Sequence, residues 1–377
     1  MVNYEYPPIG GGAANANLCI LKEMAAIGGV AIDLLTSFVG KGVVVEEFSP
    51  SIKIYKVGIS KRNLHHWRKA EVLQWLFKAH SVYDQLLQEN DYDLSHSFFA
   101  FPSGLFCWLS RKKLPYIISL RGSDVPGYND TLGLDYFLLS PLFKGIWKNA
   151  AAIIANSKGL AELATKFTPS LPIEVIPNGV SISDYSTGHA NKRTGGPFKL
   201  LTVGRLVNRK RIDCVIESIS LLAGRGIDVR LDIAGDGVLA DKLKGLASGL
   251  NVEGRVNFMG VVQKSDMPAV YAAADVFVMC SEHEGMSNAV LEAMAAGLPI
   301  ITSHCEGIDE LVADNGIVIK NISPQTVADA AGRLYNDLPL RSLMSDKSKE
   351  RAVRFSWRNV AQAYMDKYCQ IVSGGKV

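Results

Sequence analysis

Residues 275–303 constrain the fold more than any other stretch of this chain. Residues 275–281, Asp-Val-Phe-Val-Met-Cys-Ser, are a short apolar run with β-branched members, entered from a polar end, and read as a buried parallel strand. Residues 282–286 read as a loop. Ser287 or Asn288 is a natural N-cap for a helix over 289–296, Gly297 can close that helix in the left-handed conformation, and Pro299 stops it. Residues 299–303 make the next strand. A strand–loop–helix–strand unit of this kind belongs to an open α/β sheet, which binds ligands at the carboxyl ends of its strands. The helix start offers unpaired amides and a partial positive charge, which suits an anionic group.

The helix is apolar nearly all round, so most of its sides should be buried. Glu292 is its only charge, and a buried carboxylate needs a partner. Glu284 lies in the loop before the cap and Glu292 on the second turn after it. Both can face one ligand held at the helix start. A phosphate for the amides and hydroxyls for the carboxylates describe a sugar nucleotide. Two Glu eight apart arise by chance about once in a chain this long, and a solvated Glu292 is the plain alternative. The loop, the cap, the apolar helix and the Gly-Leu-Pro exit raise the pair above coincidence.

Residues 284–299, Glu-Gly-Met-Ser-Asn-Ala-Val-Leu-Glu-Ala-Met-Ala-Ala-Gly-Leu-Pro, resemble the signature of the retaining glycosyltransferases of family 4. The resemblance implies an α/β protein of the GT-B fold, with two doubly wound Rossmann-like domains facing a central cleft.

The chain's 377 residues are enough for two ordinary domains. A net charge of +3 argues against a nucleic-acid binder steered by a strong basic field. The cysteines at 19, 107, 214, 280, 305 and 369 form no Cys-x-x-Cys pair, and several sit in apolar runs, which suits a reducing cytoplasm. No apolar run approaches the roughly 18–20 residues of a membrane span, and no signal peptide, internal repeat or low-complexity tract is visible.

In chain order, the opening is abrupt. Family members usually begin with a full apolar strand, then Pro-Pro, then glycines. Here only residues 2–4 precede Pro7-Pro8 as strand, so either the strand is cut short or the start lies upstream, and a truncated central strand should weaken the sheet. Gly10, Gly11 and Gly12 precede a helix over 13–26; glycines let backbone approach a ligand, and a tight turn is the plain alternative. The resemblance places Gly11 and Gly12 against the donor diphosphate. Strands are expected at 30–37, 51–57, 94–99, 115–120 and 151–156, with Ser157 as an N-cap. A long helix is expected from 61 to about 90. Its basic and aromatic opening could touch anionic lipid headgroups, or be a solvated face. This alternation implies a parallel, doubly wound sheet. After the strand ending at 120, relatives often carry His-Gly-x-Asp, with the His near the donor sugar. Here Arg121 stands first, with Gly122 and Asp124 kept. Arg cannot act as a base at pH 7, but it could hold a phosphate or an acidic sugar, or pair with Asp124 to shape the loop. His96, near a strand end, is a further sugar or acceptor candidate, with a structural role as the alternative.

Residues 183–197 are polar and lack apolar periodicity, as a linker between domains would. The pattern then restarts with a strand ending at Gly204, followed by Arg205, Arg209, Lys210, Arg211 and a helix over 212–223. Cations between a strand's carboxyl end and a helix start make an anion site, a surface basic cluster being the alternative. By resemblance Arg205 and Lys210 clamp the diphosphate, whereas Arg209 and Arg211 depart from the usual pattern and could tune donor or acceptor. A strand at 229–234 ends in a glycine turn at Gly235, weak evidence alone. Further strands are expected at 256–260 and 315–320, a helix over 306–310, and a last helix from about 356 that in GT-B folds crosses back onto the first domain.

The expected domains are 1–182 with 357–377 (acceptor), and 198–356 (nucleotide-sugar donor). The resemblance implies transfer, with retention, from a UDP- or GDP-sugar to a glycan or lipid-linked hydroxyl in surface polysaccharide or glycoconjugate synthesis. It involves no covalent sugar–enzyme intermediate. Arg205, Lys210 and Glu284 are the catalytic candidates. Gly11, Gly12, Gly204, Gly235, Gly285, Met286, Ser287, Asn288 and Glu292 are the donor-binding ones, and His96, Arg121 and Asp124 could contact sugar or acceptor. No Asp-x-Asp stands where a metal-dependent transferase needs it, so neither metal nor other cofactor is expected. The expected location is the cytoplasm, with peripheral contact at the inner face of the membrane. A GT-B sugar-nucleotide epimerase and a non-catalytic nucleotide-sugar or glycan binder are the alternatives.

Overall fold

A computed structural model describes residues 1–64, 66–128, 133–185 and 196–374, which divide into two compact units, 1–178 with 357–377, and 179–356. The first unit runs α1 (Gly12–Ile27), β1 (Ile32–Val39), β2 (Val43–Ser49), β3 (Ile52–Ile59), α2 (Lys69–Glu89), β4 (Ser95–Phe98) and α3 (Ser103–Leu109). It continues with β5 (Tyr116–Leu120), α4 (Gly133–Lys148), β6 (Ala152–Ala155), α5 (Lys158–Phe167) and β7 (Glu174–Val175). The strands pair in the orders β1-β3-β2 and β4-β5-β6-β7. Residues 1–3 join the two groups: the Val2 amide donates to His96 O (2.8 Å) and the Phe98 amide to Val2 O, while the Leu35 amide donates to Met1 O. The short opening segment therefore occupies the centre of the sheet and is bonded on both sides. The sequence outcome differs in two places. β2, antiparallel and at the edge, was not expected, because its three exposed valines show no alternation. The long helix starts at Lys69 rather than 61, where Glu71 reaches back to the Arg68 amide at 3.0 Å and caps it.

The second unit runs α6 (Ile182–Tyr185), β8 (Phe198–Val203), α7 (Ile212–Gly224), β9 (Val229–Ala234), α8 (Ala240–Gly249), β10 (Val256–Gly260) and α9 (Met267–Ala272). Then come β11 (Val276–Met279), α10 (Asn288–Ala295), β12 (Ile300–Ser303), α11 (Ile308–Leu311), β13 (Gly316–Ile319), α12 (Pro324–Asn336) and α13 (Leu338–Ala352). Its six strands are parallel in the order β10-β9-β8-β11-β12-β13. That is the doubly wound order 3-2-1-4-5-6, and the direction reverses between β8 and β11. Alternate residues pack on the two faces: Leu200, Val276 and Val278 in one apolar cluster, Leu201, Phe277 and Met279 in the other. α10 lies in the second, and Val290, Leu291 and Met294 each contribute about 1.5–3 kcal/mol by burial.

The last helix, α14 (Trp357–Gly374), belongs to the first unit, where Trp357, Val360, Ala361 and Tyr364 enter its core. The boundary expected at 182 moves to 178. Residues 179–185 are not an exit from the first unit, because the Val180 amide donates to Phe355 O at 2.7 Å and Tyr185 packs edge-on against Tyr271 in the second core. Of the expected linker, residues 186–195 lie outside the described residues. No helix among the described residues is long and apolar enough to cross a membrane.

Candidate functional site

The second unit's site grows from the turns that follow β8 and β9. Gly204 and Gly235 have φ of 156° and 140°, and a Cβ at Gly235 would lie 2.0 Å from the Gly204 carbonyl oxygen. Only glycine lets the two backbones approach so closely. Arg205 follows, exposed, with no ion pair among the described residues. A single 3₁₀ turn, Asn208–Lys210, then carries Lys210 back toward the sheet.

The turn meets the loop that follows β11. Lys210 Nζ pairs with Glu284 Oε1, both side chains being largely buried. The Arg209 carbonyl accepts from the Glu282 amide (2.8 Å) and the Arg209 guanidinium donates to His283 O (2.8 Å). The two loops that flank the reversal of strand order are thus laced together. Burial pushes the Glu284 carboxyl up, but the Lys210 charge and hydrogen bond, with Arg209, outweigh it and hold it below its ordinary value. Arg209 and Arg211, which depart from the family pattern, are both engaged within the unit: beside the Arg209 bonds, Arg211 pairs with Asp213 at 3.1 Å and lies 3.5 Å from Glu282.

The loop ends in Gly285, Met286 and Ser287, all buried, and the Ser287 hydroxyl accepts from the Val290 amide as the N-cap of α10. Asn288 opens the helix and is partly buried. Glu292 is on the second turn, and its partner is Tyr271, whose hydroxyl donates to Oε2 at 2.9 Å. Burial raises the Glu292 carboxyl, and the Tyr271 hydrogen bond, the Lys264 charge and Tyr185 offset this only in part. Two residues escaped the sequence reading as site members. Glu306, after β12, accepts from the Glu284 amide (3.2 Å) and lies 3.3 Å from His283 Nδ1. Its signal was its place at the next strand's carboxyl end. Tyr271 lies 21 residues before Glu292 on another helix, and nothing local marked it.

In the first unit, Gly11 and Gly12 are exposed, and a Cβ at Gly11 would meet nothing within 4 Å. The glycine that geometry requires is Gly10, at φ 96°, where a Cβ would meet the Glu5 side chain at 2.5 Å. His96 is buried with both ring nitrogens engaged, Nδ1 with the Tyr368 hydroxyl (2.6 Å) and Nε2 with Ser119 Oγ (2.8 Å). Burial, then Arg121 and the chain's amino terminus, push it well below its ordinary value, so it is neutral at pH 7. Asp124 is buried and accepts from the amides of Ala100 (2.7 Å), Arg121 (2.8 Å) and Gly122 (3.0 Å). The considered ion pair between Arg121 and Asp124 side chains is replaced by these backbone bonds. The Arg121 guanidinium turns to Asn178 Oδ1 (3.0 Å) and the Tyr364 hydroxyl (3.2 Å), over the Phe98 ring. His96 and Asp124, expected as sugar or acceptor contacts, are spent on the unit's own interior.

The chain resembles known proteins along most of its length. The lipopolysaccharide core biosynthesis glycosyltransferase LpsE of Rhizobium meliloti is 28% identical over 267 residues, 68% of this chain and 76% of that one. Sucrose-phosphate synthase from Thermosynechococcus elongatus superimposes with a TM-score of 0.80 at 20% identity, covering 99% of each chain. HepE of Anabaena, solved in complex with UDP, gives 0.74 at 17% identity over 98% of each chain; its complex with UDP-glucose gives 0.71 at 18% over 98% of each. The family model described as "Glycosyltransferase Family 4" matches residues 10–184, and that described as "Glycosyl transferases group 1" matches 197–337. With both matches and the GT-B fold in place, this chain belongs to the family 4 glycosyltransferases and is an enzyme of that class.

Proposed function

We propose that the enzyme moves a sugar, with retention at the anomeric carbon, from a UDP- or GDP-sugar to a hydroxyl of a glycan or lipid-linked acceptor in surface polysaccharide or glycoconjugate synthesis. The observation that carries this reading is the Lys210–Glu284 pair, set where the strand order reverses and immediately before the α10 N-terminus. The UDP bound in HepE and the name of LpsE support the donor and the setting.

The demanding part of the reaction is the loss of a nucleoside diphosphate. Negative charge grows on it as the glycosidic bond breaks, and preorganised donors there lower the barrier most. Arg205 is open to receive a phosphate oxygen. Lys210 is held in place by Glu284 until the donor arrives, and the amides of Gly285 to Asn288 complete the cradle. Glu284, kept ionised by Lys210, accepts from sugar hydroxyls; Glu292, oriented by Tyr271, accepts from the ribose. The leaving phosphate takes the acceptor proton on the front face, so no covalent sugar–enzyme intermediate forms. Two cations at the leaving group, Lys210 held by Glu284 and Arg205 free to close on a phosphate, supply what a divalent ion would, so transfer proceeds without metal.

The test is a melting-temperature panel of UDP, GDP, ADP and dTDP, with and without EDTA. A nucleotide at about 100 times its dissociation constant adds about 2.7 kcal/mol. One nucleotide should raise the melting point with EDTA present and name the donor. A response that vanishes with EDTA and returns with Mg²⁺ overturns the metal-free step. No response to any nucleotide overturns the donor assignment.

A further inference from the structure

Two helices of the first unit hold large apolar side chains in solvent. Leu73 and Phe77 stand one turn apart on α2, whose core face is Trp75, Ala79 and Tyr83; Leu134, Phe137 and Leu138 share the outer face of α4, whose core face is Tyr136, Phe143 and Trp147. All five are 64–86% exposed. A soluble helix normally carries polar residues there, and a contiguous apolar patch marks an interaction site. Lys69 Nζ and Asp135 Oδ1 pair at 2.7 Å, tying together the first turns of the two helices, so both apolar ends belong to one surface.

That surface is also basic. α4 continues outward to Lys144 and Lys148, both exposed. Beside it, the Trp108 ring packs at Gly145 and carries the Arg111 guanidinium 4.4 Å from its centroid. None of these three cations has an acidic partner among the described residues, whereas the acids in the first turns of the two helices are taken: Glu71 pairs with Lys61 and Asp135 with Lys69; two turns beyond Phe77, the exposed Asp84 lies 3.5 Å from His80. Apolar anchors beside unpaired cations complement an anionic lipid surface, where rings and leucines enter the headgroup boundary and lysines meet headgroup phosphates. A second copy of this chain would bring the same cations against one another, which disfavours self-association across this face.

We propose that the outer faces of α2 and α4 dock the enzyme on an anionic bilayer. This rests on the transferase reading only in naming how a lipid-linked acceptor is met. The segment leading into α2 lies on the glycine loop, the Gly10 amide donating to Leu64 O at 2.8 Å, so the docked surface adjoins the loop that opens α1.

The experiment is co-sedimentation of the full chain with sucrose-loaded vesicles, of phosphatidylcholine alone or with an equal part of phosphatidylglycerol, without donor or acceptor. The expected result is binding to the mixed vesicles that falls about tenfold on phosphatidylcholine alone and is released by high salt. Phe77→Ser with Phe137→Ser should abolish it at an unchanged melting point. Lys144→Glu with Lys148→Glu, which leaves the apolar face intact, should remove only the preference for anionic lipid. Wild-type protein that stays in solution with the mixed vesicles overturns the proposal, as does undiminished binding by the serine variant. So does a wild-type dimer, seen by light scattering, that the serine variant dissociates. The nucleotide-induced rise in melting point is read on the same samples. Its loss with vesicle binding intact would break the donor assignment and leave the docking face standing.

Discussion

In the first unit, β4 and the loop after β5 gather His96, Arg121 and Asp124; in the second, the loops after β8 and β11 gather Arg205, Lys210 and Glu284. Each set contains a carboxylate and at least one nitrogen base or cation near the carboxyl ends of parallel strands. They differ in closure. His96 has a partner on each nitrogen, and Asp124 satisfies three amides, so these groups are consumed by the fold. Lys210 and Glu284 have mainly each other, and Arg205 stands exposed. A closed network holds elements together and an open one awaits a ligand, although the residue types are nearly the same.

Removing the open cations gives the largest test of that contrast. Arg205→Ala should lower turnover by about 10²–10³-fold, the scale of losing one preorganised donor, at an unchanged melting point, since its side chain is exposed. Lys210→Ala should lose as much turnover and also strand the Glu284 carboxylate, which costs about 3–5 kcal/mol. Lys210→Met combined with Glu284→Gln should recover the stability and leave turnover low. Steady-state kinetics with melting curves check all three, and wild-type turnover in Arg205→Ala would move that residue out of the open set.

Asp124→Ala tests the closed set. Three amides lose their acceptor at about 1–3 kcal/mol each, so a fall in melting point of roughly 10 °C or more is expected, at about 2–4 °C per kcal/mol for a unit of this size. The nucleotide-induced rise should persist. Wild-type stability with lost turnover would instead put Asp124 among the ligand-facing residues. A smaller effect is expected from Tyr271→Phe, which frees Glu292 from its hydroxyl partner. Nucleotide affinity should weaken by up to about tenfold, equivalent to about 0.5–1.5 kcal/mol, by calorimetric titration. Unchanged affinity would separate Glu292 from the ribose.

The second site was more legible in the sequence than the first, for a physical reason. Strand, loop, cap and helix from Val276 to Ala295 are local, so period and capping chemistry placed them before any packing was known. Ser287 caps α10, and Gly297 takes φ 73° as expected. The first unit's network joins residues far apart in the chain: Ser119 to Tyr364 and His96 to Tyr368, across more than 240 positions. No local pattern carries such a pairing, so His96 and Asp124 read as candidates for ligand contact when their partners were unseen. The same blindness hid Tyr271 behind Glu292 and let the basic residues from 61 pass for helix.

Acid should separate the two regions with the smallest effect. His96 is buried, faced by Ser119 on β5, by Tyr364 and Tyr368 on α14, and by the charges of Arg121 and the amino terminus, and its folded value is depressed below the ordinary 6.5. As pH falls below 6.5, the unfolded chain binds a proton that the folded chain refuses. Stability therefore declines by at most about 1.4 kcal/mol per pH unit until the folded value is reached. Glu284 has the opposite sign. Its folded value is depressed below 4.5, so its contribution is fully present above 4.5 and is lost only as pH falls through that lower value. Between pH 6.5 and 4.5, then, the first unit should weaken while the Lys210–Glu284 pair holds. Melting curves over that range should slope in the wild type and flatten in His96→Gln, with Glu284→Gln leaving the slope unchanged. A slope that survives His96→Gln but disappears in Glu284→Gln would reverse the assignment of closed and open networks.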